Sequence, residues 1–393
     1  MNLPQIIQCV DRDNFKPVSA VIVFNIAGIE TRTKTSDTGN FLVPPECDED
    51  SFAIIRSIEG HWSAQLSFKD LPAGDYLKFY LVPLDIEQDA FWWRQLFDQN
   101  ISHSCDDIHI GIVDLGFQHQ TMLSNFNMMD AEGRELEIMG FPSETHGYFV
   151  SQVFTAWHQT GAMSKATYSF IDVSQHDAKG LEIDPLSVLA AIVTLREDLR
   201  VDLINVSAGY DPKQFEGSPY ETDANNFNEL LRHEIRLCSG LIVAAVGNEE
   251  QAAVKAPACF DEVVGVTGVA TTRATVQQTR LEQWQNEALA TKKIGHNIHG
   301  DHFFHIKGLT YGKQVDVAAP GAGLWMQGVD NRPVEMEGTS FAAPIVTSAL
   351  ACAIARRQEN DINFGLSKDL LKEICVNVGL EREKQGLGVP LKL

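Results

Sequence analysis

The stretch MEGTSFAAPIVTSALA, residues 336–351, sets one hydroxyl, that of Ser340, where a small-residue turn runs into an apolar helical pattern. A serine there is either a helix cap, whose oxygen accepts an orphan backbone N–H, or a nucleophile at the positive end of a helix, where a developing anion is stabilised. Gly338 lets the backbone approach a ligand closely, and Ala342, Ala343 and Pro344 keep the first turn small. A nucleophile also needs a base, a carboxylate to orient the base and a donor for the oxyanion. Three other stretches offer these groups. Asp114 ends the apolar run IGIVD before a Gly turn, His146 stands beside Gly147 at the start of a helical pattern, and Asn248 follows Gly247 after LIVAAV. Taken singly, they read as a turn-forming Asp, a surface or capping His and a left-handed loop Asn. Taken together with Gly338-Thr339-Ser340, they supply every group that acyl transfer requires.

These residues need a frame that brings them to one place. From EQDAFWWRQLFDQ (residues 87–99) onward the character changes, and apolar runs (IHIGIVDLG, ATYSFIDVS, VDLINVSAG, GLIVAAVGN, EVVGVTGVA) alternate with helical patterns over 147–158, 185–198 and 224–238. Val150, Val153, Phe154 and Trp157 fall at i, i+3, i+4 and i+7, one apolar face of the first of these helices. Strand–helix–strand alternation with doubly buried strands predicts an α/β fold, a parallel sheet flanked by helices. In such sheets chemistry gathers at the carboxyl ends of strands, where Asp114 and Asn248 stand. Residues 17–83 read differently, as short alternating strands punctuated by SDTGN and LPAGD. They predict a small all-β sandwich ahead of the α/β domain. The boundary falls near 84–90, giving domains 1–85 and 86–393. Phe91, Trp92, Trp93, Leu96 and Phe97 follow it at once and are expected to pack onto the second domain rather than form a cleavable tail.

The 393-residue chain has globular composition, 44% hydrophobic and 21% charged, with a net charge of −22. That charge argues against nucleic acid and anionic membranes as partners. No apolar run in the sequence reads as a membrane span, and the first residues show no basic-then-apolar signal pattern. Seven cysteines without metal-ligand spacing fit buried thiols in a reducing compartment, so a cytoplasmic location is expected.

With its residues set out in this order, the chain resembles the subtilisin-like serine peptidases (subtilases) over roughly residues 90–393. The motifs keep the family order, Asp114, His146, Asn248, Ser340, which is also the Asp…His…Ser order of subtilisin itself. The resemblance implies that Ser340 is the nucleophile, His146 its base, Asp114 the orienting carboxylate and Asn248 an oxyanion donor, with no cofactor required. It further implies that Ser207, Ala208, Gly209, Ala245, Gly247 and Glu249 line the substrate cleft. Glu249 and Glu250 at the rim would favour a basic side chain in the substrate. Two positions depart from the family pattern: Leu115 stands where Ser or Thr usually follows the Asp, and Tyr148 where Thr usually follows His-Gly. The activity implied is a serine endopeptidase acting on a peptide or protein. A peptide ligase or macrocyclase on the same triad, or a binding scaffold with a silent triad, are the alternatives.

Two further features stand apart. His296, His299, His302 and His305, beside Asp301, recur every three residues within a longer-than-usual stretch around 272–312; a polar surface loop is expected there rather than a metal site. TKTSDTGNFLVP resembles the turn-and-strand signature of carboxypeptidase-regulatory-like sandwiches, which would make the N-terminal domain a structural accessory or a dock for a regulatory protein.

Overall fold

The computed structural model describes residues 3–392 except 28, 58–59, 72–73, 84–91, 98–104, 106–107, 117–125, 132, 136–144, 160–162, 178–179, 214–215, 251–252, 273–278, 299, 329–332 and 359–367. The expected domain boundary and His299 lie outside the described residues. The chain divides into two compact units, one of residues 1–90, 274–291 and 323–336, the other of 91–273, 292–322 and 337–393.

Among the described residues, the N-terminal part of the first unit forms seven short strands: β1 (Ile6–Asp11), β2 (Ala20–Ile26), β3 (Ile29–Lys34), β4 (Asn40–Leu42), β5 (Phe52–Ser57), β6 (Ala64–Ser67) and β7 (Tyr76–Leu81). They form a three-stranded sheet, β4-β1-β7, and a four-stranded sheet, β3-β2-β5-β6. Alternate residues point inward, and Ile7, Cys9, Ile22, Phe24, Phe41, Ala53, Ile55, Leu66 and Leu81 from both sheets share one core. Two later excursions of the chain join this unit. Trp325 sets its ring edge-on to Trp62 with centroids 4.9 Å apart, and Glu335 accepts from the Ser63 N–H at 2.7 Å. Gln283 donates to the Gln65 carbonyl at 3.0 Å. Each contact joins residues more than 200 positions apart, so no local pattern announces it.

The second unit is the α/β domain. Its nine-stranded sheet runs through β8 (His109–Asp114), β9 (Phe126–Asp130), β10 (Thr167–Asp172), then, after a small hairpin of β11 (Ser174–Asp177) and β12 (Gly180–Ile183), β13 (Leu203–Val206), β14 (Leu241–Ala245) and β15 (Val264–Thr271). The strands β9-β10-β8-β13-β14-β15 pair in parallel, and β18 (Val317–Pro320) continues the parallel set beside β15. Parallel strands must be joined by crossovers, supplied here by α1 (His146–Gln159), α2 (Pro185–Glu197) and α3 (Glu221–Leu237). Trp93 and Phe97 pack against Trp157 of α1 with ring centroids 6.3 and 5.2 Å apart, as the apolar segment after the boundary predicts.

The last long helix, Thr339–Gln358, packs across β13, β14, β15 and β18. Its apolar stretch of 19 residues is long enough to cross a bilayer by composition, yet 94% of it is buried inside the protein, as a core helix. The stretch expected as a polar loop is instead an antiparallel hairpin, β16 (Ile294–Ile298) with β17 (Asp301–His305), which pairs onto β15. The β-branched and aromatic residues Ile294, Ile298, Phe303 and Phe304 outweigh the polar ones between them. His302 hydrogen-bonds the Gly295 carbonyl and Asn297, and His305 turns inward edge-on to Tyr311. Burial pushes the His305 pKa down to about 4. Among the described residues no group of three or more His, Cys, Asp or Glu could hold a metal ion.

Candidate active site

Asp114 is the last residue of β8, fully buried between β10 and β13. The carboxylate's Oδ1 accepts the Leu115 N–H at 2.6 Å and faces His146 Nδ1 at 2.5 Å. Asp172, its register partner on β10, accepts the N–H of Gly116 at 2.9 Å and so pins the turn that follows. The same turn places the helix: the Gly147 N–H donates to the Leu115 carbonyl at 3.0 Å. A side chain at 147 would lie 2.5 Å from both the Gly116 carbonyl and the Phe170 ring. Glycine is therefore required beside His146 for helix and turn to approach this closely.

His146 opens α1, and its Nε2 faces Ser340 Oγ at 2.9 Å. Phe341 packs near the imidazole with ring centroids 5.4 Å apart. Burial disfavours the imidazolium, but the Asp114 charge and hydrogen bond outweigh it and hold the His146 pKa above its ordinary value. The ring keeps 30% of its surface open to solvent, while Asp114 has none.

Ser340 is the second residue of the long helix. Pro344 stands four residues on and has no N–H, so it cannot donate the helical bond that the Ser340 carbonyl would otherwise receive. The Ser207 hydroxyl donates to that carbonyl instead, at 2.8 Å. Ser207 is held in turn by Asn205 Nδ2 at 2.8 Å, and Asn205 by the Thr347 hydroxyl at 3.1 Å, all fully or nearly buried. Ser207, expected in the substrate cleft, thus has its side chain committed to the nucleophile's own backbone.

Asn248 lies three residues beyond β14. Its Oδ1 accepts the Thr339 N–H at 2.8 Å, which fixes the amide's orientation and turns Nδ2 away. An ideal Cβ placed on Gly338 would stand 3.1 Å from Ser340 Oγ and 3.2 Å from Asn248 Nδ2. These two atoms therefore border one small space, kept open because residue 338 is glycine, whose φ of +147° other residues rarely adopt. Thr310 braces the Asn248 loop from the far side, bonding Glu249 N–H and C=O through its hydroxyl at 3.1 and 2.8 Å. Thr339 and Thr310 escape sequence reasoning. Only the GTS context hints at the first, and nothing local marks the second.

Of the other expected cleft residues, Ala208 and Ala245 are buried. Side chains at Gly209 and Gly247 would meet Lys255 at 3.0 and 2.9 Å. Lys255 runs past both glycines and pairs with Glu249 at 3.0 Å. Lys255 thus offsets the charge of Glu249, one of the two rim carboxylates from which a basic substrate side chain is expected.

Comparison with known proteins follows this geometry. The signature of the Subtilase family matches residues 106–386, and the chain belongs to that family of serine proteases. It is similar to halolysin of Haloferax mediterranei, 27% identical over 38% of this chain and 22% of that one. It is also similar to the halolysin-like extracellular serine protease Nep of Natrialba magadii, 22% identical over 78% of this chain and 52% of that one. These matches span about half the length of the curated relatives or less. Among solved structures, a lanthipeptide protease superposes with a TM-score of 0.54 at 16% identity, covering 78% of this chain and 91% of its own. That likeness is one of fold.

Proposed function

We propose that the protein is a serine endopeptidase working through Asp114, His146 and Ser340. The observation that carries this reading is the single imidazole bridging a buried carboxylate and a helix-start hydroxyl, with an oriented amide beside that hydroxyl. Ser340 Oγ attacks the scissile carbonyl while His146 Nε2 takes its proton. Asp114 keeps the proton on Nδ1 and stabilises the imidazolium. The tetrahedral oxyanion occupies the space beside Gly338, between the Asn248 Nδ2 donor and the Ser340 N–H at the helix start. His146 then protonates the leaving amine, and water, entering through the open face of the ring, releases the acyl group.

Substrate backbone is read by the Ser207–Gly209 segment and the Ala245–Glu249 loop in this proposal, with Lys255 between the two glycines. Water is the acceptor it assigns; mass spectrometry of products from one peptide, seeking a joined or cyclic product, separates hydrolysis from ligation. A reducing compartment suits the seven cysteines, four of which are buried.

The test is covalent labelling. A fluorophosphonate should modify the wild-type chain at Ser340, and Asn248→Ala should lower kcat about 10²–10³-fold with KM little changed, the range found for the matching Asn of subtilisin. Absence of labelling on folded protein overturns the assignment.

A further inference from the structure

The N-terminal unit carries an open groove of about 1090 Å³ that the proposed proteolysis does not use. Its walls are the edge strands of the two sheets, β3 on one side and β4 on the other, and Phe24 and Phe41, in ring contact at 5.8 Å, lie at its base. All six residues of β3 are exposed, as is Leu42 on β4. Among the described residues neither strand has a neighbour on its outer edge.

The backbone polarity of β3 can be read from its register. Thr35 N–H donates to the Ala20 carbonyl, and Thr35 continues the pairing that sets Thr33 opposite Ile22 and Thr31 opposite Phe24. In an antiparallel ladder, alternate residues turn both backbone groups to the same side. Thr31 and Thr33 therefore bond inward to β2, and Glu30, Arg32 and Lys34 turn their N–H and C=O outward. Side chains alternate likewise. The threonines share the face of Phe24 and line the groove, whereas Arg32 and Lys34 stand on the opposite face at the rim. Among the described residues neither cation has an ion-pair partner, and no Asp or Glu lines the groove. Glu30 shares the face of Arg32 and Lys34, so the outward stripe of β3 carries two cations and one carboxylate, a net positive edge in a chain with 53 acidic and 31 basic residues.

We infer that the β3 edge is a docking site for an extended acidic peptide, which adds to the sheet as a further strand. Its backbone would pair with the outward groups of Glu30, Arg32 and Lys34. Alternate apolar side chains would drop into the groove above Phe24 and Phe41, and the intervening carboxylates would lie across from Arg32 and Lys34. The inference stands independently of the proteolytic reading.

The test uses the full chain carrying Ser340→Ala, so that binding is measured without cleavage, and a fluorescein-labelled octapeptide of alternating valine and glutamate. Fluorescence anisotropy should show this peptide binding about tenfold more tightly than its valine–lysine counterpart, with affinity falling as salt is raised. Arg32→Glu with Lys34→Glu should abolish that preference. Glu30→Pro, which removes one outward N–H and is tolerated on an edge strand, should bind severalfold more weakly than Glu30→Gln, which removes the same charge but keeps that N–H. No binding, equal binding of the two peptides, or indifference to the charge reversal overturns the inference. So does sedimentation as a dimer that the reversal dissolves, which would give the edge to a second copy.

Discussion

Among the described residues there are two hydrogen-bonded Asp–His–Ser relays, one in each unit. In the α/β unit, His146 links Asp114 Oδ1 through Nδ1 and Ser340 Oγ through Nε2, at 2.5 and 2.9 Å. In the β unit, His61 links Asp11 Oδ2 through Nε2 and Ser57 Oγ through Nδ1, at 2.9 and 3.2 Å. The residue types match but the ring nitrogens are exchanged, so an Asp–His–Ser contact set does not by itself mark a catalytic centre. The surroundings differ. Ser340 begins a helix beside an oriented Asn amide, whereas Ser57 ends a strand. His146 keeps 30% of its surface open and His61 only 7%. Asp11 also caps a turn, accepting the N–H groups of Asp13 and Asn14 at 2.8 and 2.9 Å. The second relay is a clip that ties the turn after β1 to the segment after β5; the first leaves its serine facing space.

The sharpest break in the comparison is paired removal of the two hydroxyls. Ser340→Ala should lower kcat on the order of 10⁶-fold, the size seen when the matching serine of subtilisin is removed. Ser57→Ala should leave kcat and KM within twofold of wild type. Substantial loss in the second variant would mean that the two relays are coupled.

Asp114→Asn comes next, with an expected fall in kcat of about 10⁴-fold. The pH profile separates its cause from misfolding. His146 must be neutral to accept the proton, and its pKa is raised by Asp114, so wild-type activity should be lost as pH falls through a value above about 6.5. With the charge gone, burial alone acts on the ring, and the acid limb should move to lower pH. An unmoved limb would detach it from His146.

Ser207→Ala tests the backbone tether. It leaves the Ser340 carbonyl without the donor that Pro344 cannot supply. A loss of about 1–3 kcal/mol is the usual cost of such an orphan. The expected readouts are a lower urea midpoint and a kcat drop of about tenfold. Ser207→Thr, which restores a hydroxyl, should recover most of both.

The smallest effect belongs to the clip. Burial raises the Asp11 pKa, but the Asn14 N–H, the His61 hydrogen bond and the Asp13 N–H together outweigh it and hold the carboxyl below its ordinary range. A depressed carboxyl stabilises the fold above the unfolded pKa of about 3.9, and that contribution disappears as pH falls through the folded value. Asp11→Asn should therefore cost about 1–2 kcal/mol at pH 7 in urea unfolding, and the gap from wild type should close below about pH 4. A gap independent of pH would assign the loss to packing.

A further measurement concerns the junction of the units. Trp93 and Phe97 pack on Trp157 within the α/β unit. Intact mass of wild type beside Ser340→Ala should show no fragment beginning near residues 84–106; one present only in wild type would establish self-processing.

Much of this was readable in one dimension. Doubly apolar strands alternating with an i, i+3, i+4, i+7 helix face specify a parallel sheet because burial on both faces leaves few other arrangements, and strand ends then locate Asp114 and Asn248. Gly147 and Gly338 mark themselves, since only a residue without Cβ fits such approaches. What the sequence could not contain is which distant groups complete each other. Ser207 reads as a cleft residue until Pro344 is seen to leave the Ser340 carbonyl without its helical donor. Glu249 reads as a bare charge until Lys255 is found lying past Gly209 and Gly247. The histidine run reads as a loop because polar residues dominate it, whereas pairing onto β15 makes it a hairpin. The segments 274–291 and 323–336 lie within the α/β region of the chain but belong to the β unit, through contacts such as Trp62 with Trp325. Periodicity and glycine are local constraints, carried by each segment alone. Hydrogen-bond completion and charge pairing are made across hundreds of residues, and only the folded chain decides them.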